Sequence, residues 1–335
     1  MAITEKLARE ALDELNFAFA PEVVLFAALR LNIFSAIEQG GELNSIAFAT
    51  GYSPRGLRML LNCLTAMGLL EKEGETYHLN DLARRYCLPS SEDYIGKLFM
   101  HFDRLLGLWL TLPEAVRKGR PTLSMFTDRE KEDLNRDIAE ALFQVHRPYA
   151  WKLAALWEEV LSQGAKIVDV AAGSAVWSLP FALKYESAEV TAVDLSPVLA
   201  VARKYARKFG VEHRYRFVAG DIREIEFGIG DYDLAILGHI CHSEGPAWSE
   251  KLIGKCFRAL RQNGKLMILD YIPDEERKSE TLPLLLAVNA LLGTEEGDTF
   301  TFSEYSRWLR DAGFRDIRAL PLDDHSPVIV GTRGS

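Results

Sequence analysis

The run Lys166-Ile-Val-Asp-Val-Ala-Ala-Gly-Ser-Ala-Val-Trp177 constrains the fold of this 335-residue chain more than any other segment. Ile167, Val168 and Val170 read as a short strand covered on both faces. The small residues Ala171 to Ala175 read as a tight turn, and a helix starts behind them. A strand feeding a helix through such a turn is the first unit of a Rossmann-like, doubly wound sheet. The N–H groups at that helix start are where a ligand sits. The loop is not G-x-G-x-x-G: only Gly173 remains, with Ala171 and Ala175 beside it. Alanine takes positive φ only at a cost, so ordinary backbone angles are expected at both. A strand-to-helix turn with no ligand is the bland alternative.

Four more strands follow. They are Glu189–Asp194, Tyr215–Asp221, Tyr232–Leu237 running into Gly238-His239, and Lys265–Asp270 entered through the turn Asn263-Gly264. A helix from Pro197 to Phe209, with Val198, Leu199, Ala202, Tyr205 and Ala206 on one face, links two of them. Four of the five strands end in aspartate. One such residue alone is more often a cap or a turn. Repeated at the strand ends, where a doubly wound sheet binds its ligand, they form a rim for sugar and amine groups. Asp194 has the spacing of an acid that meets ribose hydroxyls. Asp169, just before the loop, would repel a pyrophosphate and attract a cation. S-adenosylmethionine (SAM), with its sulfonium and ammonium, fits this better than NAD.

The first part of the chain is organised differently. Ile3 to Phe19 reads as an amphipathic helix with Ile3, Leu7, Ala11, Leu15 and Ala18 on one stripe. A second helix is expected from Pro21 through Phe34, and a short one over 43–50. Ser53-Pro54 opens the next, a cap followed by proline in the first turn, with Leu57, Leu60, Leu61 and Leu64 inward. Leu69 to Leu79 reads as a hairpin turning at Gly74. Helices plus a hairpin make a winged helix, which raises DNA binding as a rival function. Net charge −9, with 39 Lys and Arg against 48 Asp and Glu, argues against nucleic acid. The would-be recognition helix offers only Arg55 and Arg58. The expected role is dimerisation, giving a homodimer. The boundaries read as 1–92 for this domain, 93–162 for an aromatic-rich helical connector, and 163–335 for the Rossmann-like domain.

No apolar run reaches the length of a membrane span, so no membrane partner is expected. The start, Met1-Ala-Ile-Thr-Glu-Lys, lacks the pattern of a secretory signal. Four cysteines without a C-x-x-C pair read as reduced thiols, hence a cytoplasmic location. His239, Cys241 and His242 lie close in sequence, but no further ligand set joins them, so no metal is expected.

Several segments carry a specific resemblance. They are Gly238-His-Ile-Cys-His-Ser-Glu-Gly245, Leu260 to Asp270, Glu295-Glu-Gly-Asp-Thr-Phe-Thr-Phe-Ser-Glu-Tyr305, and Trp308-Leu-Arg-Asp-Ala-Gly-Phe314. Residues from about 165 to 335 resemble a class I SAM-dependent methyltransferase. The whole chain resembles the two-domain small-molecule O-methyltransferases of the caffeate and acetylserotonin type and their bacterial relatives.

The resemblance implies an α/β fold: a Rossmann-like catalytic domain behind a mainly helical, winged-helix dimerisation domain. It implies SAM as cofactor and a small, aromatic hydroxyl compound as methyl acceptor. Ala171 to Gly173, near Asp169, would face the methionine part of SAM. Asp194 would hold the ribose, and Asp221 with Ile222 would flank the adenine. Leu195 and Gly238 complete that set. His242 falls at the general base and Asp270 at an acid that orients it, with His239 in reserve. The helix through Phe143-Gln-Val-His-Arg-Pro-Tyr149 would line the acceptor pocket with Phe143, His146 and Tyr149, joined by Asn289. Pro148 would kink or restart that helix and expose His146 and Arg147. Arg147 would pair with the SAM carboxylate or remain a plain surface arginine. Three departures stand out, one of them the glycine-poor loop around Gly173. The family's aspartate after the histidine is Ser243 here, and a second orienting glutamate has no match, with Asp298 and Thr299 in its region. Transfer to sulfur, nitrogen or carbon, a non-catalytic SAM-binding protein and an NAD-dependent oxidoreductase remain alternatives on sequence alone.

Overall fold

The computed structural model describes residues 15–122, 128–157, 164–322 and 327–334. The chain forms two compact units, Met1–Leu105 and Leu106–Ser335.

The first unit contains α1 (Ala20–Arg30), α2 (Ile33–Gln39), α3 (Leu43–Thr50), α4 (Pro54–Ala66), the hairpin β1 (Leu70–Glu73) and β2 (Thr76–Leu79), and α5 (Asp81–Tyr86). α6 (Gly96–Trp109) runs across the boundary between the units. Ser53 caps α4 through its hydroxyl on the Gly56 N–H, and Gly74 turns the hairpin at φ 60°. The single helix expected over 21–34 is in fact two. Asn32, at φ 52°, breaks it in the left-handed region that asparagine tolerates. Leu29 on one side of the break and Ile33 and Phe34 on the other all reach one core, with Ile46, Leu61, Leu64 and Tyr77. The expected helix over 3–19 lies outside the described residues up to position 14. From there Leu15, Phe17 and Phe19 are exposed. No single helix among the described residues is long and apolar enough to cross a membrane.

The second unit begins with α7 (Leu112–Lys118) and the long α8 (Asp128–Leu156). Then come β3 (Lys166–Val170), α9 (Leu179–Lys184), β4 (Glu189–Asp194), α10 (Ser196–Lys208), β5 (Tyr215–Ala219) and β6 (Tyr232–Gly238). It closes with α11 (Cys241–Glu244), α12 (Pro246–Ala259), β7 (Leu260–Leu269), α13 (Thr281–Gly293), α14 (Phe302–Asp311), β8 (Phe314–Leu320) and β9 (Val328–Arg333). The sheet order is β5-β4-β3-β6-β7-β9-β8. The first five strands are parallel, and β9 runs antiparallel to both β7 and β8. β3 and β6 are almost wholly buried because helices cover both faces, which is why they read as continuous apolar runs.

β8 and β9 add to the five strands expected from sequence. β8, Phe-Arg-Asp-Ile-Arg-Ala-Leu, is a largely exposed edge strand whose charges hide its pairing. The strand order reverses between β3 and β6, the place where such sheets bind ligands. Pro148 does not interrupt α8. The helix runs through it, pinned by Phe143, Ala150, Leu153 and Ala154 in the core.

Candidate active site

A cavity of about 420 Å³ opens at that reversal, at the C-terminal ends of β3, β4, β5 and β6. Its size is that of a small-molecule site. The wall is built from the loop after β3, from Asp194 and Leu195, from Gly220 to Arg223, from Gly238 to Ile240 and from one face of α8.

The loop after β3 corrects the expectation of ordinary backbone angles. Ala171, Gly173 and Ala175 all lie at positive φ, at 54°, 57° and 60°. For the two alanines this conformation costs about 1–2 kcal/mol each. Hydrogen bonds hold it: Ala172 N–H to Val193 O (3.1 Å), Ala175 N–H to Ala172 O (2.7 Å) and Gly173 N–H to Asp194 Oδ2 (2.8 Å). The other oxygen of Asp194 accepts the Leu195 N–H at 2.7 Å. Burial raises the pKa of Asp194, and these two N–H groups partly offset it. Each carboxylate oxygen keeps a lone pair for a hydroxyl, which suits a ribose diol. At Gly238 an added Cβ would stand 2.6 Å from the Trp177 ring, so only glycine lets β6 end against that wall.

Asp169 is placed differently from its sequence reading. It is 1% exposed and off the cavity wall, with Oδ2 accepting the Ser178 hydroxyl at 2.6 Å. Burial pushes its pKa up to about 7, helped by the nearby Asp194 and opposed by Ser178. Asp169 props the loop from behind, and Asp194, Asp221 and Glu244 are the carboxylates at the cavity.

Beside the cavity, next to His239 and Ser243 of its wall but not themselves on it, His242 and Asp270 form a hydrogen-bonded dyad. His242, on α11, places Nδ1 2.7 Å from Oδ1 of Asp270, just after β7. Burial would raise the Asp270 pKa, but His242, His239 and the Tyr271 N–H outweigh it and hold the carboxyl below its usual range. The ionised carboxylate keeps the proton on Nδ1, which leaves the Nε2 lone pair to accept another. Burial lowers the His242 pKa, yet the charge and hydrogen bond of Asp270 overcome this and set it above the ordinary value. The remaining Asp270 bonds come from the Tyr271 N–H (2.9 Å, on Oδ1), the His242 N–H (3.1 Å) and the Tyr305 hydroxyl (2.9 Å), both on Oδ2.

His239 also faces this centre. It sits at φ 55°, with its N–H on Leu269 O and Nδ1 3.9 Å from Asp270 Oδ1. Its ring stacks on His146 (centroids 4.5 Å apart, 13° between planes) and is flanked by Trp177 and Tyr271. Burial, with His239 beside it, holds the His146 pKa well below the ordinary value.

Of the residues expected around the acceptor, His146 lines the cavity, but it is buried rather than exposed by Pro148. Phe143 is a core residue stacked on Tyr205, Tyr149 points away at 37% exposure, and Arg147 and Asn289 are not on the cavity wall. Ala171, Gly173, Asp194, Leu195, Asp221, Ile222, Gly238 and His239 are on it. Asp298 does not support the base with its side chain; its N–H holds the His242 carbonyl. Among the described residues His239, His242 and Asp270 bring metal-binding atoms within 4.8 Å of one another. The contact of Nδ1 with Oδ1 has hydrogen-bond length, and the buried Cys241 is not in that group. Tyr305, Ser178 and Trp177 were missed. Nothing local to their positions in sequence marks them, because each acts through a fold contact.

Comparison with known proteins places this architecture. Residues 109–315 match the O-methyltransferase domain, and residues 14–88 match the O-methyltransferase dimerisation domain. The chain is 28% identical to the tetracenomycin polyketide synthesis 8-O-methyl transferase TcmO of Streptomyces glaucescens, over 96% of this chain and 95% of that one. It is 30% identical to the 3-hydroxy-5-methyl-1-naphthoate 3-O-methyltransferase of Streptomyces sahachiroi, over 88% and 86%. The structure of PigF with S-adenosylhomocysteine superposes with a TM-score of 0.85 at 25% identity, covering 96% of this chain and 99% of that one. The chain therefore belongs to the O-methyltransferase family and is a SAM-dependent enzyme carrying that family's dimerisation domain. The cofactor fits the residues present: the cavity between Asp194 and Gly238 has room for it, and the Asp194 carboxylate keeps lone pairs for hydroxyl donors.

Proposed function

We propose that this enzyme methylates a hydroxyl of a small aromatic molecule, with His242 as the general base. The 2.7 Å contact between His242 Nδ1 and Asp270 Oδ1 carries the reading. A phenol has a pKa near 10 and must lose its proton to become a good nucleophile. A neutral imidazole with Nδ1 tied to a buried carboxylate takes that proton on Nε2, and the carboxylate stabilises the imidazolium that forms. Bound SAM supplies an electrophilic methyl group. The remaining catalysis is positioning, which the walls around His239, His146 and Trp177 provide. Two relatives support the acceptor class: one is named for a hydroxynaphthoate and the other for a polyketide. In this reading Asp194 and Leu195 bind the ribose, Asp221 and Ile222 flank the adenine, and Ala171 to Gly173 face the methionine end.

His242→Ala tests it. SAM affinity should stay near wild type while methylation of a neutral phenol slows by about 10²–10⁴-fold, the usual worth of general base catalysis. Unchanged activity would move the base elsewhere.

The assembly belongs to the same proposal. Residues 1–92 form the dimerisation module of a two-fold homodimer, 93–162 connect it to the acceptor pocket, and 163–335 bind SAM. The matched dimerisation domain and the exposed Leu15, Phe17 and Phe19 support this. Light scattering at tens of micromolar should give twice the chain mass, and deletion of residues 1–20 should give monomers or aggregates. The four cysteines are free, which supports a reducing, cytoplasmic location.

A further inference from the structure

Asp270 is unusual in having every acceptor position taken. Oδ1 accepts from the His242 ring and the Tyr271 N–H; Oδ2 accepts from the His242 N–H and the Tyr305 hydroxyl. A carboxylate offers about four lone-pair sites, so the set is full. Three of the four donors come from residues within the α11 segment or next to Asp270 itself. The fourth, Tyr305, arrives from α14, and it is the donor that ties the dyad to another part of the domain.

Tyr305 is held so that its oxygen has little freedom. It is fully buried. Its ring meets Phe300 and Trp308 edge-on, at 5.9 and 5.4 Å between centroids. A capping box between Thr301 and Glu304, the residue before Tyr305, fixes the start of α14. A tyrosine carries its hydroxyl on a stiff arm with two torsions, so a locked ring means a locked donor.

We propose that Tyr305 is a positioning residue for methyl transfer: its hydroxyl fixes the Asp270 carboxylate and thereby sets the direction and basicity of the His242 ring. This rests on the reading of His242 as base. Without the hydroxyl, one lone pair of a buried carboxylate has lost its donor, and the charge falls more fully on His242. The imidazolium is then stabilised further, so the ring holds its proton to higher pH. The other titratable groups facing Asp270 are Cys241 on α11, His239 after β6, and His146 of α8 behind His239. Burial raises the Cys241 thiol, and burial holds the His146 pKa well below the ordinary value, whereas Asp270 raises that of His242.

The test is Tyr305→Phe in the full-length enzyme, assayed with a neutral phenol across pH and compared with His242→Ala. S-adenosylhomocysteine affinity should stay within about twofold of wild type. The plateau kcat should fall by about fivefold, the rate equivalent of one net hydrogen bond. The acid limb of kcat/KM should move up by roughly half a pH unit. Placing 3-fluorotyrosine at position 305 keeps the shape and strengthens the donor, so it should move the limb down. That variant also serves if Tyr305→Phe does not fold. A merely structural role would lower melting temperature and kcat with the limb fixed in both variants, and that result overturns the proposal. If His242→Ala is slow while the limb stays put, this proposal alone falls. If His242→Ala is fully active, the base assignment falls with it.

Discussion

The loop after β3 and the dyad of His242 and Asp270 lie at the same end of the sheet, past the C-terminal ends of β3, β6 and β7, and are held by opposite means. The loop is a run of consecutive residues in which two alanines and a glycine take left-handed backbone angles. Its conformation is costly, and a few hydrogen bonds from β4 and Asp194 keep it in place. The dyad joins residues far apart in sequence, and its carboxylate has every acceptor position filled. In the proposed function, cofactor binding therefore rests on backbone shape stabilised from outside. In the same proposal, proton transfer rests on side chains that fix one another. Changes to the first should appear in affinity and stability, and changes to the second in rate and pH dependence.

Asp194→Ala should give the largest effect on the binding side. It removes the hydroxyl acceptor and also the partner of Gly173 N–H and Leu195 N–H. S-adenosylhomocysteine binding, measured by calorimetry, should weaken by about 1.5–3 kcal/mol, the range for hydrogen bonds to a charged group. Wild-type affinity in this variant would break the division of labour. Gly238→Val comes next. Its Cβ would press on the Trp177 ring, and overpacking of this kind costs about 1–3 kcal/mol. Thermal melting should fall and S-adenosylhomocysteine should protect less, and an unchanged melt would show that Trp177 moves freely.

A smaller effect separates the prop behind the loop from the wall in front. The Asp169 pKa is raised from 3.8 to about 7 in the folded protein. The native state therefore binds a proton that the unfolded state has released. This contribution to stability is present below the unfolded value and is lost as pH rises through that interval. Asp169→Asn cannot ionise, so its melting temperature should decline less between pH 5 and pH 8 than that of wild type. Parallel curves would mean the carboxyl does not titrate there. The least change is expected from Ala171→Gly. Relief of about 1–2 kcal/mol of left-handed strain is partly offset by about 0.4–1 kcal/mol of added unfolded-state entropy. A slight gain in melting temperature should result, and a clear loss would mean the alanine methyl packs usefully.

How much was readable in advance follows the same division. Strand placement, the position of the loop and the aspartates at the strand ends could be read from Lys166 to Asp270, because buried parallel strands leave continuous apolar runs and loops leave small residues. The loop's conformation could not. Alanine's preference is a local bias, and the fold overrode it at Ala171 and Ala175. His242 and Asp270 were reached through resemblance, since no spacing rule joins them. Tyr305 lay inside a quoted segment, yet its role depends on α14 folding back on β7, which leaves no local trace. Phe143 and Tyr149 lie off this cavity for a related reason. Both lie on α8, but only the face bearing His146, Leu142 and Ala139 turns to the cavity.

The central claim is that His242 removes a proton from the acceptor. A series of phenols graded in acidity tests this most directly, with wild type and His242→Ala compared at one pH and saturating SAM. The account predicts a rate ratio of about 10²–10⁴ for phenols that are neutral at the assay pH, shrinking toward unity for those already ionised. A ratio that stays constant across the series, or that is near unity for neutral phenols, would contradict it.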